Sequence, residues 1–162
     1  MIADVPARQT APGRAAEPPP DPPTPVPRLL WLAAQHLTGL LHERLRDAGF
    51  DDQRPSDDAA FAHIPPGGIR LTDLARRAGV TKQAMAEVVD SLEARRYVER
   101  RPDPSDGRAK LIDFSARGWA AVATAVDAMD DIERQVSERL GERRVDALRR
   151  TLELILVGPT DR

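Results

Sequence analysis

The chain has 162 residues, 41% hydrophobic and only 4% aromatic, with 24 Lys and Arg against 26 Asp and Glu. That length suits one compact domain plus a tail, with a core built mainly from Leu, Val, Ala and Ile. It contains no Cys, which excludes disulfides, thiolate zinc sites and thiol redox sensing, and no apolar run approaches membrane-spanning length.

Residues 1–27 are rich in Pro, with Pro18-Pro19-Pro20 and Pro22-Pro23, and nearly lack large apolar side chains. The expectation is a disordered, partly polyproline II tail. It has no apolar stretch of the kind that marks a signal peptide, and a cytoplasmic location is expected. A first helix is predicted over 28–49. Leu30, Ala33, Ala34, Leu37, Leu40, Leu41 and Leu45 form a wide apolar face, and Gly49 suits the helix end. Ser56 is expected to cap a short helix, with Asp57 and Asp58 at the positive end of its dipole. Pro65-Pro66 stops that helix near Ile64. Gly67-Gly68 turns the chain, and Ile69-Arg70 forms a short strand.

The stretch 71–114 carries the functional argument. A short helix around Leu74-Ala75-Arg76-Arg77-Ala78 is stopped by Gly79-Val80. A second helix runs from Thr81 to about Arg95. Its apolar stripe is Met85, Val88, Val89 and Leu92, at i, i+3, i+4, i+7, while Gln83, Ala86, Glu87 and Asp90 repeat that spacing on the other side. Thr81 caps it, so its first turn, Thr81-Lys82-Gln83, faces outward. Two extended runs follow, 97–101 and 110–114. Between them lies the loop 102–107, with Asp106-Gly107 as the turn pair and Asp106 expected to hold the Arg108 side chain. Helix, tight turn, helix and β-hairpin outline a winged helix-turn-helix, a DNA-reading module. Lys82 suits guanine, Gln83 adenine, and Thr81 a phosphate or a base. Glu87 suits cytosine N4. On the hairpin, Arg101, Arg108 and Lys110 are the basic candidates, Arg108 for a narrow minor groove.

Charge supports this placement. Residues 69–118 carry 11 Lys and Arg against 8 Asp and Glu, which leaves 13 against 18 for the rest of the chain. A basic segment on an acidic scaffold fits nucleic-acid contact through one face.

After the hairpin, Ser115 caps a long helix with an expected buried stripe of Val122, Val126, Met129, Ile132 and Val136. Gly141 interrupts it. Val145, Leu148, Leu152 and Ile155 then repeat at near-heptad spacing on a last helix. Three such flanking helices have more apolar face than a small lobe can cover, so dimerisation through the first and last helices is expected. His36, His42 and His63 do not share a helix face, and no phosphate loop or nucleophile elbow is present. No catalytic residue, metal site or cofactor is expected.

Arg101-Pro102-Asp103-Pro104-Ser105-Asp106-Gly107-Arg108-Ala109 resembles the wing signature of the multiple-antibiotic-resistance regulator (MarR) family, and Leu71-Thr72-Asp73-Leu74-Ala75 onward to Gln83 is similar to its helix-turn-helix. Four positions depart from the family pattern: Glu87, Arg96 in place of a helix-ending Gly, Gly107 in place of a second basic residue, and Trp119. The resemblance implies a mainly α fold with a small β-wing. Residues 28–49 and 116–157 would be dimerisation helices around a lobe at 55–114. It implies a homodimeric transcription regulator on a pseudo-palindromic operator, often a repressor relieved by a small aromatic or drug-like effector. In that family the effector site lies between the dimerisation helices and the DNA-binding lobe, which makes Trp31, His36, Phe61 and His63 the aromatic candidates here. The alternative is a winged-helix ligand sensor or protein-interaction module without strong DNA binding, favoured by Glu87 and Gly107.

Overall fold

The computed structural model describes residues 23–157. Most of the expected Pro-rich tail, residues 1–22, lies outside the described residues. The elements run α1 (Val26–Asp47), a 3-10 turn (Pro55–Asp57), α2 (Asp58–His63), β1 (Ile69–Arg70), α3 (Leu71–Arg77), α4 (Lys82–Ala94), β2 (Val98–Asp103), β3 (Asp106–Phe114), α5 (Ala116–Leu140) and α6 (Glu142–Val157). The fold is mainly α with a three-stranded antiparallel sheet of order β1-β3-β2. Helix α1 starts earlier than expected: Pro25 precedes it and Pro27 sits in its first turn, where a missing N–H costs nothing.

The core lies under α4. Leu74 of α3, Met85, Val89 and Leu92 of α4, Ile112 and Phe114 of β3, Tyr97 and Ala121 pack together out of solvent. Val88, at the edge of the expected stripe, is only half-buried. Gly79, in the turn between α3 and α4, has φ of 68°, and this left-handed geometry lets the chain reverse in so few residues. Arg96 occupies the same region at φ 63°, at the end of α4 where the family pattern has Gly. Ser115 caps α5 by accepting from the Gly118 N–H at 3.1 Å.

Three local expectations are corrected. Ser56 caps nothing, because it lies inside the 3-10 turn; Asp57 is buried, and its Oδ2 accepts from the Arg54 N–H at the start of that turn, at 2.9 Å. The hairpin is longer than expected: Pro102, Asp103 and residues 106–109 all belong to strands, and the loop shrinks to Pro104-Ser105. Gly107 has no positive φ, so Asp106-Gly107 is not the turn pair. Side-chain turns replace it. Asp103 Oδ1 accepts from the Ser105 N–H at 2.8 Å and from the Ser105 hydroxyl at 2.6 Å, and Asp106 Oδ1 accepts from the Arg108 N–H at 3.1 Å. Third, the α5 stripe is shifted. Gly118, Ala121, Ala128 and Ile132 are buried, whereas Val126 and Met129 are about half exposed. Beside α1, Met129, Ile132 and Val136 of α5 line a cavity with Leu37 and Leu41. Helix α6 packs on the end of α5, yet none of its residues is buried; Leu148, Leu154, Ile155 and Leu156 are exposed.

Gly118 is where the start of α5 touches the wing root. A Cβ there would lie 2.0 Å from the Tyr97 carbonyl oxygen. Gly118→Ala is therefore expected to lower stability by about 1–3 kcal/mol or more, since the obstructing atom is backbone. Gly107→Ala, with nothing within 4 Å of its Cβ, is expected to stay within about 0.5 kcal/mol of the parent. Urea unfolding of the two variants checks both.

Candidate nucleic-acid interface

The exposed end of α4 is fixed by its cap. Thr81 Oγ1 accepts from the Ala84 N–H at 3.1 Å, which leaves the hydroxyl proton free to donate outward. Thr81, Lys82 and Gln83 are all exposed, and Glu87 follows one turn later on the same open side. Their orientation follows from the opposite face, where Met85, Val89 and Leu92 are locked in the core. Lys82 also reaches the wing: with Lys110, Thr72, Arg70 and Arg100 it lines a cleft of about 380 Å³ between the helices and the sheet.

Not every expected cation is available. Arg101 is held inside the wing, its Nε and Nη2 donating to Asp113 at 3.0 and 2.7 Å and Nη2 donating also to the Gly67 carbonyl at 2.6 Å. Arg100 bridges back to α4, pairing with Glu93 and, at 2.6 Å, with Asp90. Arg70 is tied to Asp103, Nε at 2.7 Å and Nη2 at 2.6 Å, and more distantly to Asp106 at 3.6 Å. Arg108 is exposed on β3; Asp106 holds its backbone N–H and not its guanidinium, contrary to expectation. Among the described residues Lys82, Arg108 and Lys110 form no ion pair. Of the basic candidates, these three remain open to an outside anion.

A polar network that periodicity does not reveal sets the angle of α4. Arg95, at the end of that helix, forks onto buried Asp57 (2.8 and 3.0 Å) and also donates to the Ser91 carbonyl, the Ser91 hydroxyl and the Asp52 carbonyl. Hydrogen bonding to Asp57 raises the Arg95 pKa above its ordinary value. Next to it the Tyr97 hydroxyl, fully buried with its ring, donates to Asp52 Oδ1 at 2.5 Å. Arg117 of α5 clamps the same carboxylate at 2.9 and 3.2 Å and lies 4.5 Å from the Tyr97 ring centroid. Burial pushes Asp52 upward, but the Tyr97 hydroxyl and Arg117 outweigh it and hold the carboxyl below its usual range. Burial, then the bond to Asp52, pushes the Tyr97 phenol well up. The only hint in the sequence is the Arg95-Arg96-Tyr97 run just past the helix.

The four aromatic effector candidates do not converge. Phe61 is half-buried against Tyr97 and Phe114, with ring centroids at 5.7 and 5.1 Å. Trp31 is exposed in a groove of about 590 Å³ along another side of α1, shared with His42, Glu43 and Arg46. His36 is exposed on α1, and His63 sits at the end of α2.

Fold and face together define a winged helix-turn-helix protein with long flanking helices. The MarR family model matches residues 60–109, the segment that holds α3, α4 and the first part of the wing. No curated protein sequence matches the chain. Among solved structures it is similar to the reduced form of MarR from E. coli, at 23% identity over 84% of this chain and 99% of that one, with a TM-score of 0.69. It is also similar to a probable transcriptional regulator from Pseudomonas aeruginosa (25% identity, 80% and 96% covered, TM-score 0.63). The transcriptional repressor CouR bound to a 23-mer DNA duplex is a third (22%, 81% and 92%, TM-score 0.65).

The wing tip carries its own titration. The Ser105 hydroxyl and N–H, then Arg70, hold the Asp103 carboxyl down at about 2, against about 3.9 for a free Asp. A lowered carboxylate pKa stabilises the folded wing above the unfolded value and loses that effect as pH falls through the folded one. The tip is therefore expected to be unchanged from pH 8 to 5 and to loosen only between about pH 4 and 2. A carbon-detected NMR titration of the Asp103 carboxyl should show a midpoint near 2, and Asp103→Asn at pH 7 should reproduce the acid form of the wing.

Proposed function

We propose that the chain is a homodimeric, sequence-specific DNA-binding transcription regulator whose effect is repression relieved by a small ligand. In this reading residues 28–49 and 116–157 dimerise and 55–114 form the lobe that reads DNA. The observation that carries it is the presentation, on one face, of the capped Thr81-Lys82-Gln83 end of α4 beside the unpaired wing cations Arg108 and Lys110. The structurally similar CouR is a transcriptional repressor seen on a DNA duplex. A two-fold pair of such lobes reads half-sites about one helical turn, roughly 34–36 Å, apart. Exposed Leu148, Leu154, Ile155 and Leu156 on α6, with Leu29, Leu32 and Leu37 on α1, supply the apolar surface for the second protomer. No helix among the described residues is long and apolar enough to cross a membrane; in this reading the DNA partner supports a cytoplasmic location.

Within this reading Lys82, Gln83 and Glu87 contact base edges, Thr81 a phosphate or base, Arg108 the minor groove and Lys110 the backbone. Arg101 shapes the wing through Asp113 instead of touching DNA. The second reading, a winged-helix sensor or protein-interaction module with weak DNA affinity, is favoured by the neutralisation of Arg70, Arg100 and Arg101.

Binding isotherms on a selected operator and on scrambled duplex, at several salt concentrations, test the assignment. Gln83→Ala is expected to lose about 1–3 kcal/mol of discrimination at one or two positions. Arg108→Ala should weaken binding to both duplexes and lower the log–log salt slope by about 2 per dimer, at roughly 0.9 per neutralised phosphate. Arg101→Ala should leave that slope unchanged and act on stability. An unaltered slope in Arg108→Ala would remove the wing from the interface, and a flat salt response of the parent protein would favour the second reading.

A further inference from the structure

Lys82, Gln83 and Glu87 leave one flank of the capped end of α4 unused. Lys82 lines the cleft that it shares with Ala109 and Lys110 of the wing. Ala84 comes two residues later, roughly 200° further round the helix, and so lies on the flank away from the wing. It is exposed, and Val88, one turn on in the same row, is half-buried against the core. Val80, immediately before the cap, is 43% exposed. The Thr81 side chain joins these positions, since its Oγ1 accepts from the Ala84 N–H at 3.1 Å. The wing-distal flank of the reading end is therefore apolar, and it is continuous with the face that carries Gln83 and Glu87.

Single exposed apolar side chains are ordinary on a protein surface. Val80 differs in its place and its rigidity. Its N–H donates to the Ala75 carbonyl at 3.1 Å, which fixes the backbone at the end of the turn. Its β-branched side chain has little rotamer freedom to lose on contact. Gly79 beside it carries no side chain, and nothing lies within 4 Å of the position a Cβ would take, so the approach to the turn is open. Ala84 likewise has no side-chain entropy to lose. An alkyl flank neither donates nor accepts a hydrogen bond and is mute toward the polar edges of the bases. Of the groups that base pairs present in the major groove, only the thymine C5-methyl is apolar.

We propose that Val80 and Ala84 are specificity-determining residues that read thymine: the C5-methyl of one thymine in each half-site packs against the Val80 side chain, the Ala84 methyl and the Thr81 γ-methyl. This rests on the DNA-binding reading above and names the base chemistry that its polar residues do not cover. Lys82, Gln83 and Glu87 select by hydrogen bonds, whereas Val80 and Ala84 select by a methyl group. A cytosine at the same place has no methyl and brings an amine donor against the alkyl flank, where nothing accepts it.

The test starts from an operator selected out of a random duplex pool with the full chain. Each thymine is then replaced singly by deoxyuridine, which deletes the C5-methyl and keeps the hydrogen-bonding edge. One thymine per half-site is expected to lose about fourfold in affinity, the equivalent of burying one methylene-sized group. Val80→Ala and, independently, Ala84→Ser should shrink that thymine-to-uracil ratio to about twofold or less, whereas Gln83→Ala should keep it. Ala84→Ser decides the matter if Val80→Ala fails to fold. No thymine that responds to loss of its methyl, or a uracil penalty that the folded variants retain in full, overturns the proposal and leaves the DNA reading standing. A pool that yields no sequence bound better than scrambled duplex sinks the regulator reading and the thymine contact with it.

Discussion

The Arg95–Asp57 ion pair is the contact on which the presentation of α4 depends. Asp57 is 1% exposed, and a charge at that depth is tolerable only with a matched partner. Arg95 supplies one in bidentate form and spends its remaining donors on Ser91 and the Asp52 carbonyl. The pair therefore joins the last turn of α4 to the segment between α1 and α2. Tyr97 and Arg117 extend the junction to the wing root and to α5 through the single carboxylate of Asp52. Five side chains from four parts of the chain thus fix one angle, between the helix that would read DNA and the helices that would dimerise. Removing either member of the pair leaves a buried charge without its partner, so this junction is stiff in place and has no half-made state.

Charge at the candidate DNA face is a matter of which cations remain unpaired, not of how many there are. The segment 69–118 has a small basic excess, but Arg70, Arg100 and Arg101 are consumed by Asp103, by Glu93 and Asp90, and by Asp113. These pairs hold the wing's shape. Asp103 in particular organises the tip through Ser105 and anchors it to the end of β1 through Arg70. Of the DNA-contact candidates, Lys82, Arg108 and Lys110 form no ion pair among the described residues, so a backbone phosphate or a minor groove can recruit them without breaking structure. Arg96 shows the same economy at the backbone. It holds a left-handed conformation that Gly would adopt without strain, and its carbonyl accepts from the Ser115 hydroxyl at 2.5 Å, tying the end of α4 to the α5 cap.

The flanking helices divide their apolar surface between two uses. Small residues of α5, Gly118, Ala121 and Ala128, are covered within the chain, and Gly118 allows close approach of the wing root. Larger ones, Val126 and Met129, stay about half exposed, and Leu148, Leu154 and Leu156 of α6 stay open to solvent. None of the 16 residues of α6 is fully buried on its own chain, which leaves an apolar face open.

The sequence by itself determined the order of elements, the capped and exposed start of α4 and the family likeness. These are local properties. The i, i+3, i+4, i+7 spacing of Met85, Val88, Val89 and Leu92, the Thr81 and Ser115 caps, and the breaks at Gly79 and Gly141 each act within a few residues, so they can be read along the chain. What only the tertiary structure decided involves partners far apart in sequence. Arg101 meets Asp113 and Gly67, Arg100 meets Asp90 and Glu93, and Arg95 meets Asp57 and Asp52. Composition cannot tell a free arginine from a paired one, which is why Arg101 reads as a DNA contact and folds as a strut. The Pro104-Ser105 tip was hidden for a related reason: Asp103 makes the turn with its side chain, while Asp106-Gly107 advertises a backbone turn that the register of β2 and β3 does not use. The α5 stripe was misplaced because periodicity cannot say which apolar positions the lobe will cover: Gly118 and Ala121 meet the wing root and core, Ile132 is buried, and Val126 and Met129 are left half exposed.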